Sequence, residues 1–430
     1  MLIDEYRLLS ADNYHLQFTE VEVYGFGSSQ TVAYRGKGAI DRGGDSRLKI
    51  MIWSSPNIAF EQERAEIAKN MQQGQVIAEQ LSCRLWAKDQ LGRVWNDCKI
   101  FITDIENDGQ NTLIKADVDE FILKTPNDLD DRDQEYKIEI MAIHKGFLPL
   151  RMIPGEEGGS WRRELSFEVS DFRIMISKDI PVTKVVLTSK NEIDPLRMQL
   201  LFEAISIASG KIFYPLMISW ADQQDCFLKI CHGQQDQDHL EPLLDVLCEY
   251  TIDNLSQFVS CYLSEFTDPY GPTYAAWHRA YLASSAGIEI SSLALCTAIE
   301  GIVKYRFTYP VSISPEADSQ IVNARDSVKE INSPDWIIES MLKHLDRIRE
   351  SKPTIKKSLK EIAKISEITN KQLARWESLR NKIAHFDLLD DSPKENEKIL
   401  RDYETCLTIF FKLVAQSAKF SWLATHHVES

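Results

Sequence analysis

An arginine and a histidine in the C-terminal part of the chain have the residue types that phosphodiester chemistry requires. Residues 376–387 read WESLRNKIAHFD, in which Asn381 follows Arg380 and four residues separate Arg380 from His385. Arginine is permanently charged and offers a planar pair of donors to phosphate oxygens. Histidine titrates near neutral pH, so it can accept and donate a proton in turn. Asn381 can orient either side chain, and these three residues form the candidate catalytic set.

Such a set fits the cleavage of RNA without a metal ion or cofactor. The reaction needs a proton acceptor for the ribose 2′-hydroxyl, a proton donor for the leaving 5′-oxygen, and a cation for the charge that develops on phosphorus. On an ideal helix, Arg380 and His385 point about 140° apart. We therefore expect a two-fold homodimer in which Arg380 of one chain meets His385 of the other.

A structural role is the alternative for both side chains. Arg380 would then be a cation that stabilises a helix C-terminus, and His385 would cap that helix. The apolar residues around them follow a 3-3-4 spacing that predicts one buried helix face. They are Leu373, Trp376, Leu379 and Ile383.

The surrounding segment, residues 271–430, is predicted to be a helical bundle. Residues 287–305 carry four apolar side chains on one helix face: Leu295, Ile299, Ile302 and Val303. Serine-proline pairs at 314–315, 333–334 and 392–393 predict three helix starts, since serine caps the first amides and proline fits the first turn. The last helix, about 394–420, is predicted to bury Leu400, Tyr403, Leu407, Phe410, Phe411 and Val414.

The preceding residues predict a different class of structure. About eight short segments before residue 190 are rich in β-branched and aromatic residues and are bounded by turn residues, which favours a β-sandwich or barrel. Residues 58–81 interrupt them with helical character. The predicted fold is α+β and multidomain, with a β-rich sensor or regulatory domain at 1–192, a helical connector at 193–270 and the helical bundle at 271–430.

Charge is distributed unevenly along the chain. The net charge is −16, but residues 271–430 hold 22 Lys and Arg against 21 Asp and Glu. Residues 1–270 therefore hold 27 against 44. Within residues 343–382, 12 basic residues face 5 acidic ones. Because exposed charges are screened beyond about 8 Å, a phosphate ligand responds to this local excess. The alternative is a solvated, lysine-rich helix surface.

The arrangement of Arg380, Asn381 and His385 resembles the HEPN superfamily (higher eukaryotes and prokaryotes nucleotide-binding domain). Its members are helical bundles with an arginine, commonly a polar residue, and a histidine near the end of a late helix. The segment LALCTAIEGIVKY is similar to an early helix of the family, with Glu300 at its frequent acidic position. Glu300 would support the site by holding Arg380 or another basic residue. Many relatives have glycine after the histidine, where this chain has Phe386.

The resemblance spans residues 275–425, and the layout with a β-rich front half is similar to ApeA-like phage-defence HEPN proteins. It implies a composite ribonuclease site at a homodimer interface, 2′,3′-cyclic phosphate products and a role in abortive infection. A phage-derived activator or an antitoxin would be a further partner. Two alternatives stay open: a non-catalytic dimerisation or binding module, and the toxin half of a toxin-antitoxin pair.

The eight cysteines show no disulfide framework, and the sequence has neither a secretory signal nor a long apolar run. This predicts reduced thiols, a cytoplasmic location and no membrane contact. A zinc set made of Cys226, Cys231, His232 and His239 is a further alternative. Its spacing lacks the usual two-residue knuckle.

Overall fold

The fold is seen in a computed structural model of the chain. It describes residues 15–26, 29–42, 47–70, 82–126, 135–144, 146–154, 161–169, 171–179, 182–221, 225–231, 240–307, 315–349, 355–363, 368–384 and 393–421. The strands are β1 (His15–Phe26), β2 (Val32–Arg42), β3 (Leu48–Ser54), β4 (Ser82–Asp89), β5 (Val94–Asn107), β6 (Thr112–Pro126), β7 (Tyr136–Ile143), β8 (Arg151–Pro154), β9 (Trp161–Val169), β10 (Phe172–Asp179), β11 (Val182–Ser189), β12 (Tyr214–Ala221) and β13 (Asp225–Cys231). The helices are α1 (Ile58–Asn70), α2 (Pro195–Ser209), α3 (Leu243–Leu247), α4 (Ile252–Glu265), α5 (Pro272–Ala283), α6 (Ile288–Arg306), α7 (Pro315–Lys329), α8 (Asp335–Arg349), α9 (Ile355–Ala363), α10 (Asn370–Ala384) and α11 (Pro393–Ser417).

Strands β1 to β6 close into a barrel, which decides between the two predicted β architectures. Antiparallel neighbours follow the order β3–β2–β1–β4–β5–β6, and β6 returns to pair with β3. In β4, Cys83, Leu85 and Ala87 alternate with more exposed residues and are buried, as expected for a strand with one face in a core. The rings of Trp95 and Phe121 stack in this core with centroids 4.1 Å apart.

Strand β6 belongs to the barrel and to a second antiparallel sheet. Its first half pairs with β3 and its second half pairs with β13. From there the strands follow the order β13–β12–β7–β11–β10–β9–β8. Ten consecutive residues of α2, Leu200 to Ser209, are buried, and α4 packs against α2 and β9. A helix buried on all sides must lie inside a core, so α2 belongs to the interior of this part of the molecule.

The prediction that residues 193–270 form a helical connector is wrong for β12 and β13. These strands pair antiparallel, with Met217 opposite Ile230 and Trp220 opposite Phe227. Each strand has only seven or eight residues, and helices α2 and α4 flank the pair in sequence. Periodicity alone cannot assign a short apolar run between two helical patterns to a strand or a helix, so the sequence pattern did not predict this hairpin.

The chain divides into two compact units. The first consists of residues 1–237 and 249–269, and the second of residues 238–248 and 270–430. The first contains the barrel, the second sheet and helices α1, α2 and α4, whereas the described part of the second unit is helical. The predicted α+β multidomain fold, β-rich first and helical afterwards, is therefore confirmed. The predicted connector is shared between the two units.

Helices α6 and α11 lie at the centre of the second unit. Helix α6 packs against α5, α9, α10 and α11, and α11 also packs against α3 and α10. The four residues predicted to form the inner face of α6 are buried: Leu295, Ile299, Ile302 and Val303. Helices α7 and α11 begin at Pro315 and Pro393, as the serine-proline pairs predicted, although Ser314 and Ser392 lie outside the described residues.

The prediction that Leu400 lies on the inner face of α11 is wrong. Leu400 is 48% exposed, and Ile399 is buried in its place. Leu407, Phe410, Phe411 and Val414 are buried as predicted, and Tyr403 is half-buried. The buried face of the first turns of α11 therefore includes Ile399 rather than Leu400.

Candidate active site

Helix α10 holds the arginine of the candidate site next to a buried apolar face. Leu373, Trp376 and Leu379 are buried, which confirms three members of the predicted face, and Ile383 is half-buried. The helix packs through this face against α6 and α11. Arg380 follows Leu379 and therefore turns away from the core, and its side chain is 44% exposed. The helix thus fixes the backbone of Arg380 while it leaves the guanidinium accessible to solvent.

Glu300 of α6 holds this guanidinium. The Nε of Arg380 donates to Oε1 of Glu300 at 3.0 Å, and Nη1 donates to Oδ1 of Asn381 at 3.4 Å. Within the described ranges, Nη2 makes no hydrogen bond. The structure thus brings together three of the four residues singled out in the sequence, with one edge of the guanidinium engaged. A phosphate oxygen can be bound by the donors that point to solvent.

His385, the predicted proton-transfer residue, lies outside the described residues, as does Phe386. The last described residue of α10 is Ala384, the residue immediately before His385. The distance between Arg380 and His385 is therefore not defined, and their pairing stays a prediction. Asn381 is exposed, and its side-chain oxygen is turned toward Arg380.

Two members of the basic stretch that the sequence indicated are paired with carboxylates of another helix. Lys382 forms an ion pair with Glu395 of α11, and the Nε of Arg375 lies 3.9 Å from Asp402 of the same helix. Neither acid belongs to the segment in which the basic excess was counted. Pairing between helices that are separate in sequence could not be read from a local charge count. Arg375 and Lys382, the basic residues of α10 nearest to Arg380, are thus both paired with carboxylates of α11.

An exposed stripe of α6 continues from Glu300 toward the start of that helix. Ile290, Leu293, Thr297, Glu300 and Lys304 follow a 3-4-3-4 spacing, which places them on one side of the helix. Ile290 is 55% exposed and Leu293 is 43% exposed. Glu300 follows Ile290 by ten positions, which is about 15 Å along the helix axis. Two exposed apolar side chains therefore lie on the same side of α6 as Glu300, about 10 and 15 Å along the helix from it.

The structure describes only the two cysteines of the alternative zinc set. Cys226 and Cys231 lie on β13, which pairs in regular register with both neighbours, so these two side chains point to opposite faces of the sheet. His232 and His239 lie outside the described residues. In the part of the chain that the structure describes, no group of three or more His, Cys, Asp or Glu side chains could hold a metal ion.

No protein-family model, curated protein or solved structure matches the chain. The candidate site must therefore be judged on its own residues. Among the helices in the described part of the chain, none is both long and apolar enough to cross a membrane.

Proposed function

We propose that the protein is a cytoplasmic, metal-independent endoribonuclease of the HEPN type that acts as a homodimer. The observation that supports this most is the Arg380 guanidinium, which is accessible to solvent, held on one edge by Glu300 and carried by a helix whose described residues end next to His385. The proposed role in anti-phage defence rests on the resemblance to ApeA-like HEPN proteins.

In the proposed reaction, the ribose 2′-oxygen attacks phosphorus while a histidine accepts its proton. The bond from phosphorus to the 5′-oxygen breaks, and a protonated histidine donates its proton to that oxygen. The guanidinium of Arg380 stabilises the charge that develops on the non-bridging oxygens. The products are a 2′,3′-cyclic phosphate and a free 5′-hydroxyl.

Helix geometry and the apolar stripe of α6 favour a composite site. If α10 continued as an ideal helix, Arg380 and His385 of one chain would point about 140° apart. A two-fold axis can bring the arginine of one chain to the histidine of the other. The exposed Ile290 and Leu293, on the same side of α6 as Glu300, offer an apolar surface for such a contact.

The first unit is proposed to be a sensor or regulatory part that keeps the ribonuclease inactive. Its residues carry most of the negative charge of the chain. An activator from the phage would then release the helical unit. If the chain is instead the toxin half of a pair, a separate antitoxin would hold it inactive.

Cleavage of total RNA by the purified full-length chain, with and without a chelator, tests the proposal. Cleavage should continue in chelator and should be lost in Arg380→Ala and His385→Ala, because loss of one positioned acid-base group costs about 10²–10⁴-fold. Arg380→Lys should also be impaired, since an ammonium cannot make a bidentate phosphate contact. Arg401→Ala is the matched control. Arg401 is an exposed arginine of α11, and its Nη1 lies 4.0 Å from Oε1 of Glu397, which is a long distance for an ion pair.

One contact favours the non-catalytic alternative. The ion pair between Arg380 and Glu300 joins α10 to α6, as a purely structural arginine would. If Arg380→Ala loses thermal stability and the wild-type protein cleaves no RNA under any condition that yields a folded dimer, the helical unit is a dimerisation or binding module.

A further inference from the structure

A cavity of about 670 Å³ opens in the first unit, on one face of the second sheet. Strands β6, β13, β12 and β7 form its floor, and residues 192–198, at and before the start of α2, form part of its wall. The opposite face of β12 and β13 belongs to the barrel core, where Met217, Leu228 and Ile230 are buried. The β12–β13 hairpin thus separates a closed core from an open cavity, and the volume of that cavity is in the range of small-molecule sites.

The floor of the cavity is a stretch of apolar sheet face that is only partly covered. Phe227, Trp220 and Ile138 are direct cross-strand neighbours on β13, β12 and β7, and each of them is half-buried. The same row continues on β11 and β10 with Leu187 and Ile174, which are completely buried. Because the row is apolar along its whole length and is open only at its cavity end, a ligand bound there would remove apolar surface from water.

An ion pair lies beside the two aromatic rings of the floor. The rings of Trp220 and Phe227 stack with centroids 5.1 Å apart and planes 9° from parallel. Lys124 of β6 lies opposite Phe227, and its Nζ is 5.8 Å from the centroid of the Phe227 ring. The same ammonium group is paired with Asp225 at 2.8 Å. The order across the sheet is therefore Lys124, Phe227 and Trp220, so Trp220 is the ring farther from the ion pair, on the side of β7.

The other charged residues at the cavity give it no excess of either sign. Lys229 of β13 already interacts with another group of the protein, and Glu192 is exposed at the wall. Lys137 points to the opposite face of the sheet, where its Nζ lies 2.8 Å from Glu139. With the ion pair beside Phe227, the described residues on the cavity face carry two positive and two negative charges. A charged ligand would lose hydration against the isoleucines and aromatic rings, and no excess of opposite charge among these residues would compensate for that loss.

We propose that this cavity is a binding site for a small, flat, uncharged molecule with fused rings. The ring system packs against Trp220 and covers the half-buried end of the apolar row. Stacking on the indole orients the ligand, and removal of apolar surface from water supplies most of the free energy of binding. The site lies within the first unit, and its existence does not depend on whether the second unit cleaves RNA.

Calorimetric titration of the full-length chain with three naphthalene derivatives tests the proposal. At neutral pH, 2-naphthol is uncharged, naphthalene-2-carboxylate is an anion and 2-naphthylmethylammonium is a cation, while all three share one ring system. The wild type should bind 2-naphthol about tenfold or more tightly than either charged probe, because each charged probe must give up hydration of its ion. Trp220→Leu should weaken the binding of 2-naphthol about two- to tenfold, since it removes the aromatic contact and keeps an apolar side chain.

Trp53→Leu is the matched control, because Trp53 is a half-exposed tryptophan of β3 that does not line the cavity. This variant should bind 2-naphthol as the wild type does. If Trp220→Leu does not fold, Ala221→Trp replaces it, and this variant should weaken binding because it fills part of the cavity. Failure of 2-naphthol to bind at millimolar concentration, a charged probe that binds as tightly as 2-naphthol, or an equal loss of affinity in Trp53→Leu and Trp220→Leu overturns the proposal. Unchanged affinity for 2-naphthol in the cavity variant overturns it as well.

Discussion

At the scale of single residues, the candidate site depends on how one guanidinium is held. Arg380 is exposed, and a mobile arginine would lose side-chain entropy whenever it bound a phosphate. Glu300 reduces that cost, since its Oε1 already engages Nε at 3.0 Å. Within the proposed mechanism Glu300 is therefore a positioning residue: it does not touch the substrate but fixes the side chain that does.

Glu300→Ala should lower the kcat of RNA cleavage by about 10–100-fold, because small misplacements of a catalytic group carry costs of that size. KM should change little, and Glu300→Gln should recover part of the activity, since an amide oxygen can still accept from Nε. Steady-state kinetics on a short RNA would measure the separation of kcat from KM. Glu377→Ala is the control, because Glu377 lies on α10 and pairs with Lys356 at 2.5 Å. An unchanged kcat in Glu300→Ala would remove the positioning role.

A second residue-scale effect belongs to the first unit. His144 is buried, and burial lowers its pKa to about 3, with the charges of Lys178 and Lys211 acting in the same direction. Its pKa in the unfolded chain is close to 6.5. Because the folded pKa is depressed, the unfolded state binds more protons between these two values, and stability falls as pH falls below 6.5.

Wild type should therefore lose about 1.4 kcal/mol of unfolding free energy through His144 between pH 7.5 and pH 5.5. Replacement of the ring by an aliphatic residue in His144→Leu should remove that share of the pH dependence. Urea unfolding at the two pH values, followed by tryptophan fluorescence, would measure it. Ile174→Val, which changes a buried side chain that has no titratable group, should keep the wild-type slope. The same slope in His144→Leu and wild type would contradict the assignment.

At the scale of elements, sequence patterns predicted what periodicity and turn chemistry determine. The inner face of α6, the starts of α7 and α11 and the β-rich front half follow from local spacing. The β12–β13 hairpin and the exposure of Leu400 depend on which surface each segment packs against, and local spacing does not contain that information. For the site, the resemblance implied that Glu300 holds Arg380 or another basic residue, and Glu300 holds Arg380. The sequence could not show that Glu395 and Asp402 pair with Lys382 and Arg375.

The turn between β4 and β5 depends on one buried carboxylate. Asp89 accepts the backbone N–H groups of Leu91 and Arg93, each at 2.9 Å, and the Nε of Arg93 at 2.6 Å. The indole N–H of Trp95, which lies in the barrel core, donates to it at 3.2 Å. Burial acts to raise the pKa of Asp89, but these hydrogen bonds and the charge of Arg93 outweigh it, and the pKa is lowered.

Asp89→Ala should destabilise the first unit by about 3 kcal/mol at neutral pH, because it leaves Arg93 and Trp95 without their acceptor. Because the pKa of Asp89 is lowered in the folded state, the ionised carboxylate stabilises the fold at pH values above the unfolded pKa of 3.8. That stabilisation is lost as the pH falls through the folded pKa. The difference in unfolding free energy between Asp89→Ala and wild type should therefore shrink only below about pH 4. Urea unfolding at pH 7 and near pH 3 would show it. Asp108→Ala, in the exposed β5–β6 turn, should have a smaller effect, and an equal effect would contradict the special role of Asp89.

At the scale of the whole molecule, the two units do not follow one another simply along the chain. Residues 238–248 belong to the helical unit, whereas residues 249–269 return to the first unit. A fragment that begins near residue 195 would carry α2 without most of its sheet and would expose buried residues such as Leu201 and Ile205. Tests of function therefore belong on the full-length chain, where each unit is complete.

The composite site makes a prediction that only a dimer can fulfil. In a mixed dimer of one Arg380→Ala chain and one His385→Ala chain, one composite site loses both groups and the other keeps both. Co-expression with two different tags would isolate that species, and it should recover about half of the wild-type rate while both single-variant homodimers stay inactive. Ile290→Glu should weaken the dimer by burying a charge in the apolar stripe of α6, and should lower cleavage in proportion to the dimer that remains. Leu282→Glu changes an equally exposed leucine of α5 and should leave both measurements unchanged. An inactive mixed dimer that is stable by light scattering would place Arg380 and His385 in the same chain's site, or outside any site.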